Sequence, residues 1–172
     1  MNSEPTEDDP VAVDGTVSTT LERIITGRVV TMAMAGGMAG TALMLPVLVG
    51  IPGLLGYFQT EPITDFAGVA SAFGIEPTLA LGVVLFGFGG TVPLPLVFLV
   101  IGSYLPPETP RALRGVTFAT CLWVGFVTAF WPGGGAVTGA LFIVFSLLGH
   151  WTYGLTLGTV LDRTTGIPQH GV

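Results

Sequence analysis

The sequence predicts an all-α integral membrane protein, a four-helix transmembrane bundle with both termini in the cytoplasm. Three observations lead there. Half of the 172 residues are apolar and only 9% are charged, against about 25% in an ordinary soluble domain. The apolar residues gather in runs longer than a soluble core helix requires, and roughly 20 in a row cross a hydrocarbon core about 30 Å thick. The basic residues fall only in alternate connections between those runs. Four spans use up the length and leave no room for a separate globular domain. The 26 glycines and 13 prolines do not signal disorder, because they sit among Leu, Val, Phe and Ala, and both types are common in transmembrane helices.

Residues 1–15, which include Glu4, Glu7, Asp8 and Asp9, lack periodicity and read as a disordered acidic tail. They are not a signal peptide, which needs a basic start and an apolar stretch. The transmembrane domain takes up residues 16–163. Thr19 and Glu22 have capping-box spacing, and Leu21, Ile24, Ile25 and Val29 recur at helical intervals, predicting a short amphipathic turn that runs into the first span. That span covers about residues 29–50, with a kink expected at Pro46. In the next connection Ile63, Phe66, Ala67, Ala70 and Phe73 share a helical face, and Gly74 can cap it. The segment is too short to cross, so it is expected to be an interfacial amphipathic helix, lying flat or packed over the bundle mouth. The second span, about 78–101, is broken by Gly89, Gly90, Pro93 and Pro95. The third covers about 112–131 and the fourth about 135–161, followed by a tail over 164–172.

Arginine placement gives the orientation. Arg23 and Arg28 precede span one, Arg111 and Arg114 lie between spans two and three, and Arg163 follows span four. The other two connections carry only Glu61, Asp65 and Glu76. Positive residues favour the cytoplasmic side, which puts both ends inside a multi-pass cell-membrane protein. No lysine is present among the basic residues, and the tail is acidic. An acidic, lysine-free surface holds water in concentrated salt, where charges are screened within a few Å, so an extreme halophile is the expected source.

Pairs of glycines four apart let helices approach closely. Gly36 and Gly40, Gly135 and Gly139, and Gly154 and Gly158 have that spacing, and packing within one bundle is expected ahead of dimerisation. In span four Gly139, Ser146, His150, Tyr153, Gly154 and Leu157 share a small, polar face. His150 is the one ionisable side chain well inside a span, and such residues are costly to bury. Its expected role is a neutral imidazole bonded to a carbonyl or hydroxyl of a neighbouring helix, with Tyr153 and Ser146 as companion ligand or helix-contact candidates. Haem ligation by His150 is the sharper alternative. His170 lies in the tail, so the second axial histidine would have to be His150 of a second copy at a dimer interface. Trp151 and Tyr153 are open between interfacial anchoring and the inner face. Cys121 stands alone, so it forms no internal disulfide and behaves as a small hydrophobe.

Absences narrow the function. No span carries Asp, Glu, Lys or Arg at its middle, and no catalytic triad, phosphate loop, thiol pair or metal-ligand cluster is present. An enzyme, a metal site, a resident cofactor and a nucleic-acid partner are not expected. The partners are the lipid bilayer, other membrane subunits or a second copy.

Met34 to Thr41 (MAGGMAGT), Gly102 to Pro106 (GSYLP), Arg111 to Gly115 (RALRG) and Gly149 to Gly154 (GHWTYG) resemble a family of small four-span membrane proteins of unknown function found mainly in halophilic archaea. The resemblance covers most of the chain after about Arg28. Some relatives carry names linking them to respiratory oxidase subunits, which implies a respiratory partner. It lends no catalytic residue. The leading expectation is an accessory or structural subunit of a membrane complex. The competitors are an oligomeric solute or ion pathway along the broken second span, and haem binding through His150.

Overall fold

A computed structural model describes residues 26–169. The acidic tail, the Thr19–Glu22 capping box and His170 lie outside the described residues.

The first helix, α1 (Gly27–Leu45), starts where the Thr26 hydroxyl accepts from the Val29 amide. It meets the expected break at Pro46, whose nitrogen carries no hydrogen for the Ala42 carbonyl one turn back. The chain absorbs the lost bond by widening into a π turn, Pro46–Gly50, and a last α turn, Ile51–Leu54, so Gly27–Leu54 is one continuous helical rod. The predicted connecting helix is present as α2 (Glu61–Phe66), continued by a 3₁₀ segment, Ala67–Phe73, and closed by Gly74 at φ 73°. Of the two placements open to it, the structure shows the bundle mouth. The Ile63 carbonyl lies against Gly82, and the Phe66 ring sits 4.9 Å from that of Phe130. Ala67 and Ala70 are buried, whereas Phe73 is exposed, since the tighter 3₁₀ turn shifts the end of the predicted face.

The second apolar run forms α3 (Leu79–Thr91) and α4 (Pro93–Ile101), hinged at Val92 with φ −115° and ψ −75°. Pro93 and Pro95 deprive the carbonyls of Gly89 and Thr91 of their amide donors, which accounts for the predicted break. A turn at Gly102–Tyr104 ends this rod. Helix α5 (Leu113–Ala129) and the long α6 (Ala136–Thr164) complete the bundle.

Helix α6 packs against both α1 and α5, α1 packs against α3 and α4, and Phe98 of α4 meets Phe118 of α5 at 5.2 Å. The helices thus form a closed ring. No strand occurs among the described residues. Three rods, Gly27–Leu54, Leu79–Tyr104 and Ala136–Thr164, are long and apolar enough to cross a membrane, while apolar α5 has 17 residues.

One end of the ring carries Arg28, Arg111, Arg114 and Arg163 and is closely packed. Ala33, Phe98, Leu99, Phe118, Ala119, Leu157, Leu161 and Ile167 are buried there. The close approach comes from glycines: a Cβ on Gly154 would strike the Gly115 carbonyl, and one on Gly158 would strike that of Ala112. Arg114, 5% exposed, ties this end together by donating from Nε to the Pro107 carbonyl at 3.0 Å and from a terminal nitrogen to Gln169 at 3.2 Å.

Candidate functional site

The opposite half of the bundle is hollow. A larger cavity of about 670 Å³ lies between α1 and α6, from Thr41 and Ser146 at mid-depth to Tyr57, Gln59 and Thr60 at the mouth. A smaller one of about 320 Å³ lies between α3 and α5 and reaches back to Thr41, Met44, His150 and Tyr153. Thr41, Phe86, Phe126 and Phe130 border both, so the two cavities are separated by aromatic side chains. The rings of Phe126 and Phe130 stack at 4.5 Å, with Phe86 edge-on to each. Both volumes fall in the range, about 300–1,000 Å³, typical of small-molecule sites, which are likewise mostly apolar with a few placed polar groups.

Those polar groups come from three helices. On α6, His150 is 5% exposed, and its Nδ1 lies 2.8 Å from the carbonyl of Ser146 one turn back. A carbonyl only accepts, so in the neutral imidazole Nδ1 carries the hydrogen and Nε2 is an acceptor. The Phe126 ring, 4.7 Å away and tilted by 56°, holds the imidazole from α5. Tyr153, one turn further on, donates its hydroxyl to the Gly90 carbonyl at 2.8 Å, a contact that ties α6 to the hinge of the broken span. On α1, Thr41 is buried, and its hydroxyl oxygen lies against Gly90 with no hydrogen-bond partner among the described residues.

Ser146, expected beside His150, is fully buried and supplies two functions. Its carbonyl anchors the imidazole, and its hydroxyl accepts from Trp123 Nε1 at 2.9 Å while donating to the Ile143 carbonyl. Trp151 donates to the Thr120 hydroxyl at 3.0 Å, so two indoles clasp α5 to α6. Tyr153 belongs to the inner face, and Trp151 is half exposed on the outside. The structure thus brings His150, Tyr153 and Ser146 together. The bond to His150 comes from its own helix rather than a neighbouring one.

The glycine pairs divide. Gly36 faces Leu157 and Val160, Gly40 faces Tyr153, and Gly154 and Gly158 face α5, all within one chain. Gly139 meets Trp131, whereas Gly135 packs against nothing and caps the start of α6. Thr41, Gly90 and the aromatic group of Phe86, Phe126 and Phe130 were not singled out as site residues by sequence reasoning. The helix breakers pointed at Gly90. Nothing in a run of phenylalanines marks which ones face a void. Among the described residues no three His, Cys, Asp or Glu side chains cluster as metal ligands.

A family model, DUF6789, a family of unknown function, matches residues 27–172, beginning where α1 begins. The chain belongs to DUF6789. No curated protein and no solved structure matches it. In this DUF6789 chain the family match thus takes in both cavities and the whole polar cluster.

Proposed function

We propose that this chain is a four-span membrane protein with both termini in the cytoplasm, without catalytic chemistry, serving a larger membrane complex as a small subunit that holds an apolar molecule inside its hollow half. The observation that carries it is the asymmetry of the bundle: one half is packed to contact between backbones, and the other is indented by open clefts of about 670 and 320 Å³. Interiors are normally filled, so a half-empty bundle supports a receptacle. The 17 residues of α5 are at the lower limit for a crossing, and with the arginines at one end they support the fourth span and the orientation. The lysine-free, acidic composition supports a halophilic archaeal membrane, and the oxidase-linked names of some members of the family it resembles support a respiratory complex as the partner.

A solute pathway inside one bundle would need continuity through the arginine half, where Phe98, Leu99, Leu157 and Leu161 are 0–1% exposed; this packing disfavours a route within a single chain and leaves only one formed between copies. Haem on His150 would use Nε2 as one axial ligand, and no other histidine occurs among the described residues.

The test is mass spectrometry of the chain purified from its native membrane in mild detergent, reading protein partners and extractable small molecules together. Defined partner subunits and a near-stoichiometric apolar molecule are expected. A homogeneous, empty, partner-free chain overturns the proposal, and a Soret band lost in His150→Ala replaces it with haem binding. Cysteines introduced at positions 76 and 108 in a Cys121→Ala background test the orientation. An impermeant maleimide should label the first from outside cells and spare the second.

A further inference from the structure

Nothing in the fold of the smaller cavity requires a buried imidazole. Its walls are Leu85, Phe86, Leu94, Leu122, Phe126 and Phe130, and a Leu or Met at position 150 would suit them better at no desolvation cost. His150 is nonetheless there and held in one orientation, with Nδ1 bonded to the Ser146 carbonyl and the ring braced by Phe126. This leaves Nε2 as an acceptor on a residue that lines the cavity, and no group among the described residues donates to it. An acceptor without a donor in an apolar surround forgoes a hydrogen bond, and a donor brought by a ligand would supply it.

The cavity also has a side entrance. Its back wall, Thr41, Met44, His150 and Tyr153, is buried, whereas Gly125, Ala129 and Pro93 on its front are exposed. A Cβ on Gly89 or Gly125 would meet nothing within 4 Å. Small residues on α3 and α5 therefore leave a gap between those two helices, and the surface around that gap is apolar, with Phe88, Val84 and Val124 exposed. A molecule entering there comes from the acyl-chain region and not from water.

We propose that the smaller cavity binds the hydroxyl-bearing head of a membrane-soluble alcohol or phenol, which enters sideways between α3 and α5 and donates its hydrogen bond to His150 Nε2. This rests on the membrane-embedded receptacle proposed above and adds the recognition chemistry. The ligand is apolar because the walls are, and it is neutral because no charged side chain borders the cavity. It is a donor because the only free polar group on the imidazole is an acceptor. A ketone, ester or ether of the same shape would leave Nε2 unpaired, and this loss is the basis of selection.

The test uses the full chain in phospholipid nanodiscs with two photoreactive probes, a diazirine-bearing long-chain alcohol and its methyl ether, and maps cross-linked peptides. The alcohol is expected to label residues 85–94 and 122–130 with about tenfold preference over the ether, as one hydrogen bond to a buried acceptor implies. His150→Ala should abolish the preference, and His150→Gln, which keeps an acceptor, should retain part of it. Should His150→Ala misfold, Gly125→Leu, placed where the wall is open, should block both probes in a folded protein. Equal labelling by alcohol and ether, or a preference that survives His150→Ala, overturns the hydroxyl recognition and leaves the apolar receptacle standing. Absence of labelling by either probe overturns both.

Discussion

Helix α5 carries two glycines ten residues apart, and they meet opposite fates. A Cβ on Gly115 would strike the Gly154 carbonyl, while one on Gly125 would meet nothing within 4 Å. The difference lies in what stands around them. Near Gly115 the facing residues on α6 are Gly154 and Gly158, and Ala119, one turn along α5, meets Gly154, so small residues on both helices bring backbones together. Gly125 lies about 80° round the helix from Gly115, on the exposed front toward α3, where Phe86, Gly89, Phe126 and Phe130 line the smaller cavity. The comparison teaches that a glycine creates contact only where a small partner faces it; where none does, it leaves an opening. In lipid, where apolar burial gives no drive for helix association, van der Waals packing holds the bundle. The arginine half should therefore carry the stability, which is what the proposed receptacle in the other half requires.

Gly154→Val is the strongest way to break that comparison. The new side chain meets the rigid Gly115 backbone and the Ala119 Cβ, so relief requires α5 and α6 to separate. Destabilisation at or above the roughly 3 kcal/mol upper end usual for overpacking is expected, read as a fall in melting temperature and in monodisperse yield in detergent. Gly125→Val should change neither. Equal behaviour of the two variants would remove the distinction between halves. Next in size is a pair of ring deletions. Phe98, fully buried in the packed half, should cost about 3–5 kcal/mol on truncation to Ala. Phe126, which already borders both cavities, should cost distinctly less in the same melts, because its loss merges existing voids and does not open a new one. A larger loss for Phe126→Ala would mean that the aromatic group, and not the glycine contact, holds the bundle.

How much of this was legible beforehand follows from the kind of signal each feature leaves. The break at Gly90 and Pro93 and the disturbance at Pro46 were readable because a missing amide hydrogen is a local fact of sequence. The shared face of Ser146, His150 and Tyr153 was readable from helical spacing. Which helix each face meets was not, because apolar runs look alike and the pairing is decided by shape across helices. Thr41 shows the limit: one threonine in a glycine-rich run, it becomes distinctive only when Gly90 packs against its hydroxyl. The cavities were invisible for the same reason, since a void is a property of several helices at once.

Tyr153→Phe sits at the border between the halves and should have an intermediate effect. It removes the bond to the Gly90 carbonyl, at a hinge where the prolines already leave the neighbouring carbonyls without amide donors. A loss of about 1 kcal/mol is expected, within the spread for polar contacts between transmembrane helices, together with faster hydrogen exchange around Val92. Unchanged exchange there would show that the hinge is held by packing alone.

The smallest effect should come from the two indoles, and it sharpens what replaces close packing in the hollow half. Trp123 and Trp151 donate to Ser146 and Thr120 across the same helix pair that is glued by glycines at the other end. Hydrogen bonds have no need of backbone contact, so they can join α5 to α6 where no pair of glycines does. Ser146 is 0% exposed, and losing Trp123 leaves its hydroxyl one partner short. Trp151 is half exposed, and Thr120 still donates to the Val116 carbonyl. Trp123→Phe should therefore cost about 0.6 kcal/mol and Trp151→Phe about half that, measured by melting in one detergent. Trp123→Phe should also loosen His150, whose anchor is the carbonyl of the same Ser146, and so weaken labelling of the smaller cavity with little change in stability. If neither substitution alters melting or labelling, the indoles only fill space, and the packed half alone keeps the chamber open.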